Sequence, residues 1–261
     1  MIKKVFKLFA GKKKFQFIFQ FLFSASLKGL NYGNGTFFDK SGELYVLKWL
    51  QKKWKSEKNL VLFDVGANVG KYAQRMYDVF RNSCTIYSFE PSGVTYNLLL
   101  QTVASNKNIH AFNFGFSDSE QNGTLYSNGD GSGIASVYKR KLDHFGTSMN
   151  QNEEIQLSTI DSFCKKNNID KIHFLKIDVE GHEINVLQGA NEMISGGKID
   201  YIQFEFGGCN IDSRTYFQNF YYLLHDKYKI YRILVDGLYE ITSYTEDLEI
   251  FITVNYLAEK K

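Results

Sequence analysis

The chain alternates short unbroken apolar runs with stretches of helical period. Leu60-Val61-Leu62-Phe63 is one such run, stopping at Asp64, and Thr85 to Phe89 is a second, stopping at Glu90. Ile109 to Phe116, 171–177 and 199–206 continue the series. Between them apolar positions recur every three or four residues, which predicts helices over Val69 to Phe80, Val94 to Val103, 159–166, 183–194 and 213–225. Upstream, Leu44, Leu47, Leu50 and Trp54 form one more helical stripe. Strands without a polar face, separated by helices, belong to a parallel sheet covered on both sides. The last two runs, Tyr228 to Val235 and Leu248 to Asn255, flank Gly237 and read as a closing antiparallel pair. Residues 115–136, rich in Gly, Ser and Asn, interrupt the rhythm and predict a loop or hairpin insertion. No repeat or Pro/Ser linker divides the chain, so the expectation is one α/β domain over 58–261 behind an N-terminal extension over 1–57.

Composition narrows this further. With 44% hydrophobic and 23% charged residues the chain is not disordered, and 23 Phe and 17 Tyr supply both a core and rings to line a pocket. Cys84, Cys164 and Cys209 lack zinc or redox spacing, which favours a reducing compartment and a cytoplasmic location. The net charge of +3 hides an asymmetry: residues 1–38 hold seven Lys and no acid. The remaining body is mildly acidic, which argues against nucleic-acid binding.

Within the arm, Ile2, Val5, Phe6 and Phe9 have helical spacing, and Gly11 precedes Lys12-Lys13-Lys14. Phe15 to Leu27 is then a thirteen-residue stretch without formal charge, with Phe at 15, 17, 19, 21 and 23. That is too short to cross a bilayer, which takes about 20 apolar residues. A secretory signal and a peripheral membrane contact through residues 1–28, at the inner leaflet, both match its plan. The expectation taken forward is a helical cap with its Phe side chains buried on the domain.

Ligands of such sheets bind at the carboxyl ends of the strands. Asp64-Val65-Gly66-Ala67-Asn68-Val69-Gly70 occupies the first strand-to-helix turn, where Gly66 and Gly70 let backbone approach a ligand. A P-loop would need Gly-Lys-Ser/Thr, and a dinucleotide fingerprint would need Gly at Asn68. Glu90, before Pro91, ends the second strand, where an acid can take both hydroxyls of a ribose. An acid at the end of strand one suits a cationic ligand. A ribose, an amino-acid tail and a positive charge together describe S-adenosylmethionine.

The motifs Phe63-Asp64-Val65-Gly66-Ala67-Asn68-Val69-Gly70, Ser88-Phe89-Glu90-Pro91, Gly115-Phe116-Ser117-Asp118, Leu157-Ser158-Thr159-Ile160-Asp161-Ser162-Phe163 and Leu175-Lys176-Ile177-Asp178-Val179-Glu180-Gly181-His182-Glu183 resemble the FkbM family of methyltransferases over about residues 58–206. The resemblance implies a class I methyltransferase (Rossmann-like) fold with a seven-stranded, mostly parallel sheet and helices on both faces. It also implies methylation of hydroxyl groups on sugars or polyketides. For this chain the substrate class it suggests is a bacterial saccharide of capsule, lipooligosaccharide or O-antigen type, free or as a glycolipid precursor. Asp64, Gly66, Ala67, Asn68, Gly70, Glu90 and Pro91 match the cofactor positions, and Ser117 and Asp118 follow the third strand, where the adenine is expected.

Methyl transfer is an in-line displacement in which alignment does much of the work and a base aids a hydroxyl nucleophile. Asp178 and Glu180 close the fourth strand on one side, with Asp178 facing the cofactor crevice. His182 and Glu205 are further candidates around the acceptor, while Glu183 reads as compensation of the helix dipole. The same carboxylates with His182 could hold a divalent metal, though no tight spacing demands one. Gly129, Gly131 and Gly133 predict a flap or a hairpin over the site. Two other classes stay open: a nicotinamide oxidoreductase, and a non-catalytic scaffold or membrane-associated assembly partner.

Overall fold

The structure, a computed structural model, describes residues 8–34 and 38–261. Parallel strands β1 (Leu60–Val65), β2 (Cys84–Phe89), β3 (Ile109–Phe112), β7 (Ile172–Ile177) and β8 (Ile199–Phe206) form its centre. Antiparallel strands β9 (Tyr228–Ile233), β10 (Leu238–Ile241) and β11 (Val254–Lys260) close one edge, giving the order β10-β9-β11-β8-β7-β1-β2-β3. β1 is the switch point, since β2 and β7 lie on its two sides. A smaller sheet of order β4-β6-β5 is built from β4 (Gly115–Phe116), β5 (Gln121–Ser127) and β6 (Gln151–Ser158).

Alternation along the strands divides the core. Leu60, Leu62 and Phe174 point to one face, where Val46, Leu47 and Leu50 of helix Glu43–Lys53 cover them. Phe63, Val65 and Ile177 point to the other, toward a ring cluster containing Phe89, Phe116 and Phe163. The central strands are buried on both faces, as their unbroken apolar runs require.

Several expectations change. The main sheet has eight strands rather than seven, because a polar hairpin, β9–β10, turns at 234–237. Leu238-Tyr-Glu-Ile241 is exposed on much of its surface and shows no apolar run. The last strand runs 254–260 instead of 248–255, since Glu246–Leu248 forms a 3-10 turn. Residues 109–116 split into β3 and β4, and β6 was not anticipated because Gln151 to Gln156 is mostly polar. The helix expected over 183–194 breaks at Gly189, where a Cβ would fall 1.9 Å from the Ser117 carbonyl oxygen. The helix expected over 213–225 runs only from Phe217 to Leu224, following a short turn Cys209–Ser213.

The arm differs most. Residues 2–6 of the first helical stripe lie outside the described residues, while Gln16–Gly29 is helical. Phe17, Phe21 and Phe23 are exposed and Leu27 is the one buried side chain of that helix, so these three Phe side chains do not cap the domain. Within the thirteen-residue stretch the narrow stripe Gln16, Gln20 and Ser24 is polar, and apolar side chains cover most of the helix surface.

Candidate functional site

A cavity of about 600 Å³ opens at the carboxyl ends of β1, β2, β7 and β8. At its β2 end, Glu90 is buried, and its two carboxylate oxygens accept N–H bonds from Asn68 (2.9 Å) and Ser92 (3.0 Å). Burial pushes its carboxyl up to about 7, against the pull of those two donors. Each oxygen keeps a lone pair for a ligand hydroxyl. Gly66 sits at φ +80°, and a Cβ there would lie 1.9 Å from the Asp178 carbonyl oxygen; only glycine allows β1 and β7 to meet so closely. Asn68 holds the turn by accepting from Val69 N–H (2.7 Å) and donating to the Ser132 carbonyl (2.8 Å). Gly115, Phe116, Leu125, Ile155 and Leu157 give this end an apolar wall suited to a flat ring.

Beside the glycine turn lies an adjoining pocket of about 520 Å³, bordered by Glu43, Lys71, Tyr72, Lys176 and Asp178. Asp64, Lys176 and Gln203 are in register across β1, β7 and β8, so their side chains share a face. Lys176 donates to Asp178 at 3.0 Å and lies 4.0 Å from Asp64. Gln203 donates to Glu43 (2.9 Å) and accepts from Tyr72 (3.2 Å). Burial raises Glu43 to about 7 and Asp64 to about 6, in both cases against the attraction of Lys176. For Lys176 burial opposes the charge, but Asp178, Asp64 and Glu43 outweigh it and hold the ammonium protonated.

At the β8 end, Glu180 adopts φ +53° and ion-pairs with Arg140, whose Nε faces Asp212 at 3.6 Å. Burial, and next the charge of Asp178, raises Glu180 to about 8 despite Arg140. The Glu205 side chain makes no hydrogen bond to the described residues. Burial, then Asp178 and Glu180, pushes it well above the ordinary carboxylate range. Both nitrogens of His182 are engaged, Nε2 with Ser117 Oγ (2.9 Å) and Nδ1 with Tyr138 Oη (3.1 Å). Burial lowers its pKa to about 4, so the ring is neutral near pH 7. Glu183 accepts N–H bonds from Val179 and Gly181 at 3.1 Å and clamps the turn after β7.

The family model of the methyltransferase FkbM domain matches residues 64–231, more than half of the chain. The chain belongs to the FkbM methyltransferase domain family. A hexuronic acid methyltransferase, AglP of Haloferax volcanii, is 24% identical over 170 residues, 65% of each chain. The chain thus spans about two thirds of the length of that relative. Among solved structures, Aeropyrum pernix fibrillarin with bound S-adenosyl-L-methionine aligns at TM-score 0.41 and 16% identity, over 77% of this chain and 66% of that one. A precorrin-6y C5,15-methyltransferase from Geobacter metallireducens aligns at TM-score 0.42 and 10% identity, over 83% and 88%.

Within the FkbM domain, Gly66, Asn68, Glu90, Pro91, Asp178, Glu180, His182 and Glu205 all line the large cavity. Ala67 borders the adjoining pocket. Four other candidates lie behind the wall. Asp64 points to the opposite face of β1, toward Lys176, and Gly70 packs against Leu99. Pairing of β4 with β6 turns Ser117 inward to His182 and leaves Asp118 exposed. Asp178 and Glu180 do not share one strand face, because β7 ends at Ile177. The segment 128–138 roofs the cavity as part of a hydrogen-bonded insertion: Tyr126 pairs with Ser136, and Ser136 Oγ donates to the Glu180 carbonyl (2.7 Å).

Sequence reasoning missed Arg140, Tyr138, Glu43, Lys71, Cys209 and Thr253 as site residues. Lys71 directly follows the glycine turn and was within reach of motif reading. Arg140 and Tyr138 enter from the insertion, and Glu43 from the extension. Glu180, Glu205 and Cys209 bring one donor atom each to within 4.8 Å of one another, a geometry that could hold a cation. The thiol is buried and its pKa raised by burial and then by Glu183, so a bare metal would have to deprotonate it.

Proposed function

We propose that this FkbM domain transfers a methyl group from S-adenosylmethionine to a hydroxyl of a saccharide. The observation that carries the reading is one cavity with a ribose-suited carboxyl, Glu90, at one end and two buried acidic side chains of raised proton affinity, Glu180 and Glu205, at the other. The residues suit the cofactor: Glu90 can accept from both ribose hydroxyls, and the Phe116 and Leu157 wall suits adenine. When bound, the cofactor supplies an activated methyl on a sulfonium. A hexuronic acid methyltransferase among the relatives supports a sugar acceptor, and a bacterial surface polysaccharide precursor methylated in the cytoplasm is the acceptor proposed.

Glu205 is the base in this reading. Asp178 is neutralised by Lys176, Glu180 by Arg140, and His182 has both nitrogens occupied, whereas Glu205 has no donor. In its deprotonated form, its raised proton affinity makes it the stronger acceptor for the proton of an attacking hydroxyl. Glu180 and Arg140 shape the acceptor end, and the 128–138 roof limits access of water. His182 and Glu183 hold the turn that carries Glu180.

Titration calorimetry with S-adenosylhomocysteine tests the cofactor half; no binding by the native protein would refute it. Mass spectrometry of surface glycans from a strain lacking the gene tests the other half. The expected result is loss of one methyl per repeat, and unchanged glycans would overturn the acceptor assignment.

A further inference from the structure

We propose that the helix Gln16–Gly29 lies in the surface of an anionic bilayer and holds the acceptor end of the cavity against it, so that the saccharide acceptor is lipid-tethered. The second clause rests on the methyltransferase reading; the first does not.

Phe17, Phe21 and Phe23 are 68, 70 and 61% exposed and Leu22 is 50% exposed. Four large apolar side chains on one short helix are a costly arrangement in water. The charges around them select the occupant. Lys12, Lys13 and Lys14 stand before the helix, Lys28 stands in its last turn, and no acid occurs anywhere in 1–38. Ammonium groups at both ends of an apolar helix match phosphate headgroups, to which long lysine side chains can reach while the rings enter the acyl boundary. The helix is about 21 Å long, short of the roughly 30 Å hydrocarbon core, and no helix among the described residues can cross a membrane. With lysines at both ends it lies flat, within one leaflet.

The joint to the body sets where the membrane lies. Asn31 Nδ2 donates to the carbonyls of Ser41 (3.1 Å) and Ile233 (3.0 Å), and Gly33 N–H donates to the Thr253 carbonyl (2.8 Å). Thr253 lines the cavity, together with Glu205 and Cys209. The helix is therefore tied to the β8 wall, where the acceptor is proposed to sit. An enzyme held there takes an acceptor that stays at the same surface.

The test is flotation of the full-length protein with phosphatidylcholine vesicles, with and without phosphatidylglycerol. Co-flotation is expected only with the anionic lipid and is lost in 1 M salt, where the Debye length falls to about 3 Å. K12Q/K13Q/K14Q weakens binding roughly a hundred-fold, about five-fold per lysine. F17S/F21S/F23S abolishes it while leaving the melting temperature and S-adenosylhomocysteine affinity unchanged, because these rings contact solvent. Absence of co-flotation, or co-flotation indifferent to the Phe variant, overturns the proposal. Self-association in sedimentation that the Phe variant removes, without vesicle binding, assigns the face to a second copy instead. For the acceptor, methyl-labelled cofactor is supplied with total membranes of the native host or with its soluble glycans. Label in the organic-extractable lipid fraction is expected. Label confined to soluble polymer, or none despite normal S-adenosylhomocysteine affinity, overturns the tethered acceptor. Loss of that affinity in the native protein would overturn the methyltransferase reading, leaving the vesicle result intact.

Discussion

Glu90 and Glu205 are both carboxylates at strand ends facing one cavity, yet they are held in opposite ways. Glu90 is fixed by the backbone N–H groups of Asn68 and Ser92, which belong to the turns that flank it. The Glu205 carboxyl has no hydrogen-bond donor among the described residues, and its neighbour Glu180 depends on Arg140, forty residues earlier in sequence. One acid is prebuilt by main chain and ready to receive hydroxyls without rearrangement. The other is buried beside Asp178 and Glu180, which raises its affinity for a proton. Binding rewards the first arrangement and proton abstraction the second.

E205Q is the sharpest way to break this comparison. Glutamine keeps the shape but cannot accept a proton, so methyl transfer should fall by roughly 10²–10⁴-fold, the usual contribution of a general base. S-adenosylhomocysteine affinity should stay within about two-fold, since Glu205 lies at the far end of the cavity. Single-turnover transfer and calorimetry read the two quantities separately. Equal losses in both would mean that the two ends are not independent.

E90A is the reciprocal experiment. It removes the ribose contacts, each made to a charged group, and should weaken S-adenosylhomocysteine by roughly 1.5–3 kcal/mol, about 10- to 150-fold. It also leaves the Asn68 and Ser92 N–H groups without their partner, so E90Q serves as the milder control. Saturating cofactor should restore most of the E90A transfer rate, whereas no cofactor concentration restores E205Q. Unchanged affinity in E90A would remove Glu90 from the cofactor site.

The same contrast explains what could be read from sequence. Strands β1, β2, β7 and β8 are announced by apolar runs, and the Gly66 turn and Glu90 by local spacing. A β2-end contact such as Asn68 to Glu90 spans two consecutive strand ends, so its order along the chain is visible. At the β8 end, Arg140 meets Glu180, Tyr138 meets His182 and Ser117 meets His182 across 40, 44 and 65 residues. No periodicity encodes such pairings. Polar strands fail for a related reason: β5, β6 and β10 are held by ladder hydrogen bonds that are blind to side-chain hydropathy. Alternation along β1 alone does not say which face Asp64 takes; the structure places it on the face of Lys176 and Glu43.

The smallest expected effect is the pH dependence of stability, and it too separates the two ends. A carboxyl raised by burial binds its proton more tightly in the folded state than in the unfolded chain. Between the unfolded value near 4.5 and the folded value, the native state therefore holds more protons, and stability falls as pH rises. His182 acts in the reverse sense, because its folded value of about 4 lies below its unfolded 6.5; folding loses stability as pH falls through that interval. Above pH 6.5 the histidine is neutral in both states, so the carboxylates alone set the slope. Glu90, near 7 like Glu43 and Glu183, should contribute in the lower part of the window from 6.5 to 8, and Glu180, near 8, in the upper part beside the raised Glu205. A net decrease of about 1 kcal/mol across this window corresponds to about 2–4 °C in melting temperature. E90Q should flatten the curve below pH 7.5 and E180Q above it, as followed by thermal melts in buffers of matched ionic strength. A slope that both variants alter over the same interval would mean that the two carboxylates titrate as one coupled group, and that the division between a prebuilt and a proton-hungry end does not hold.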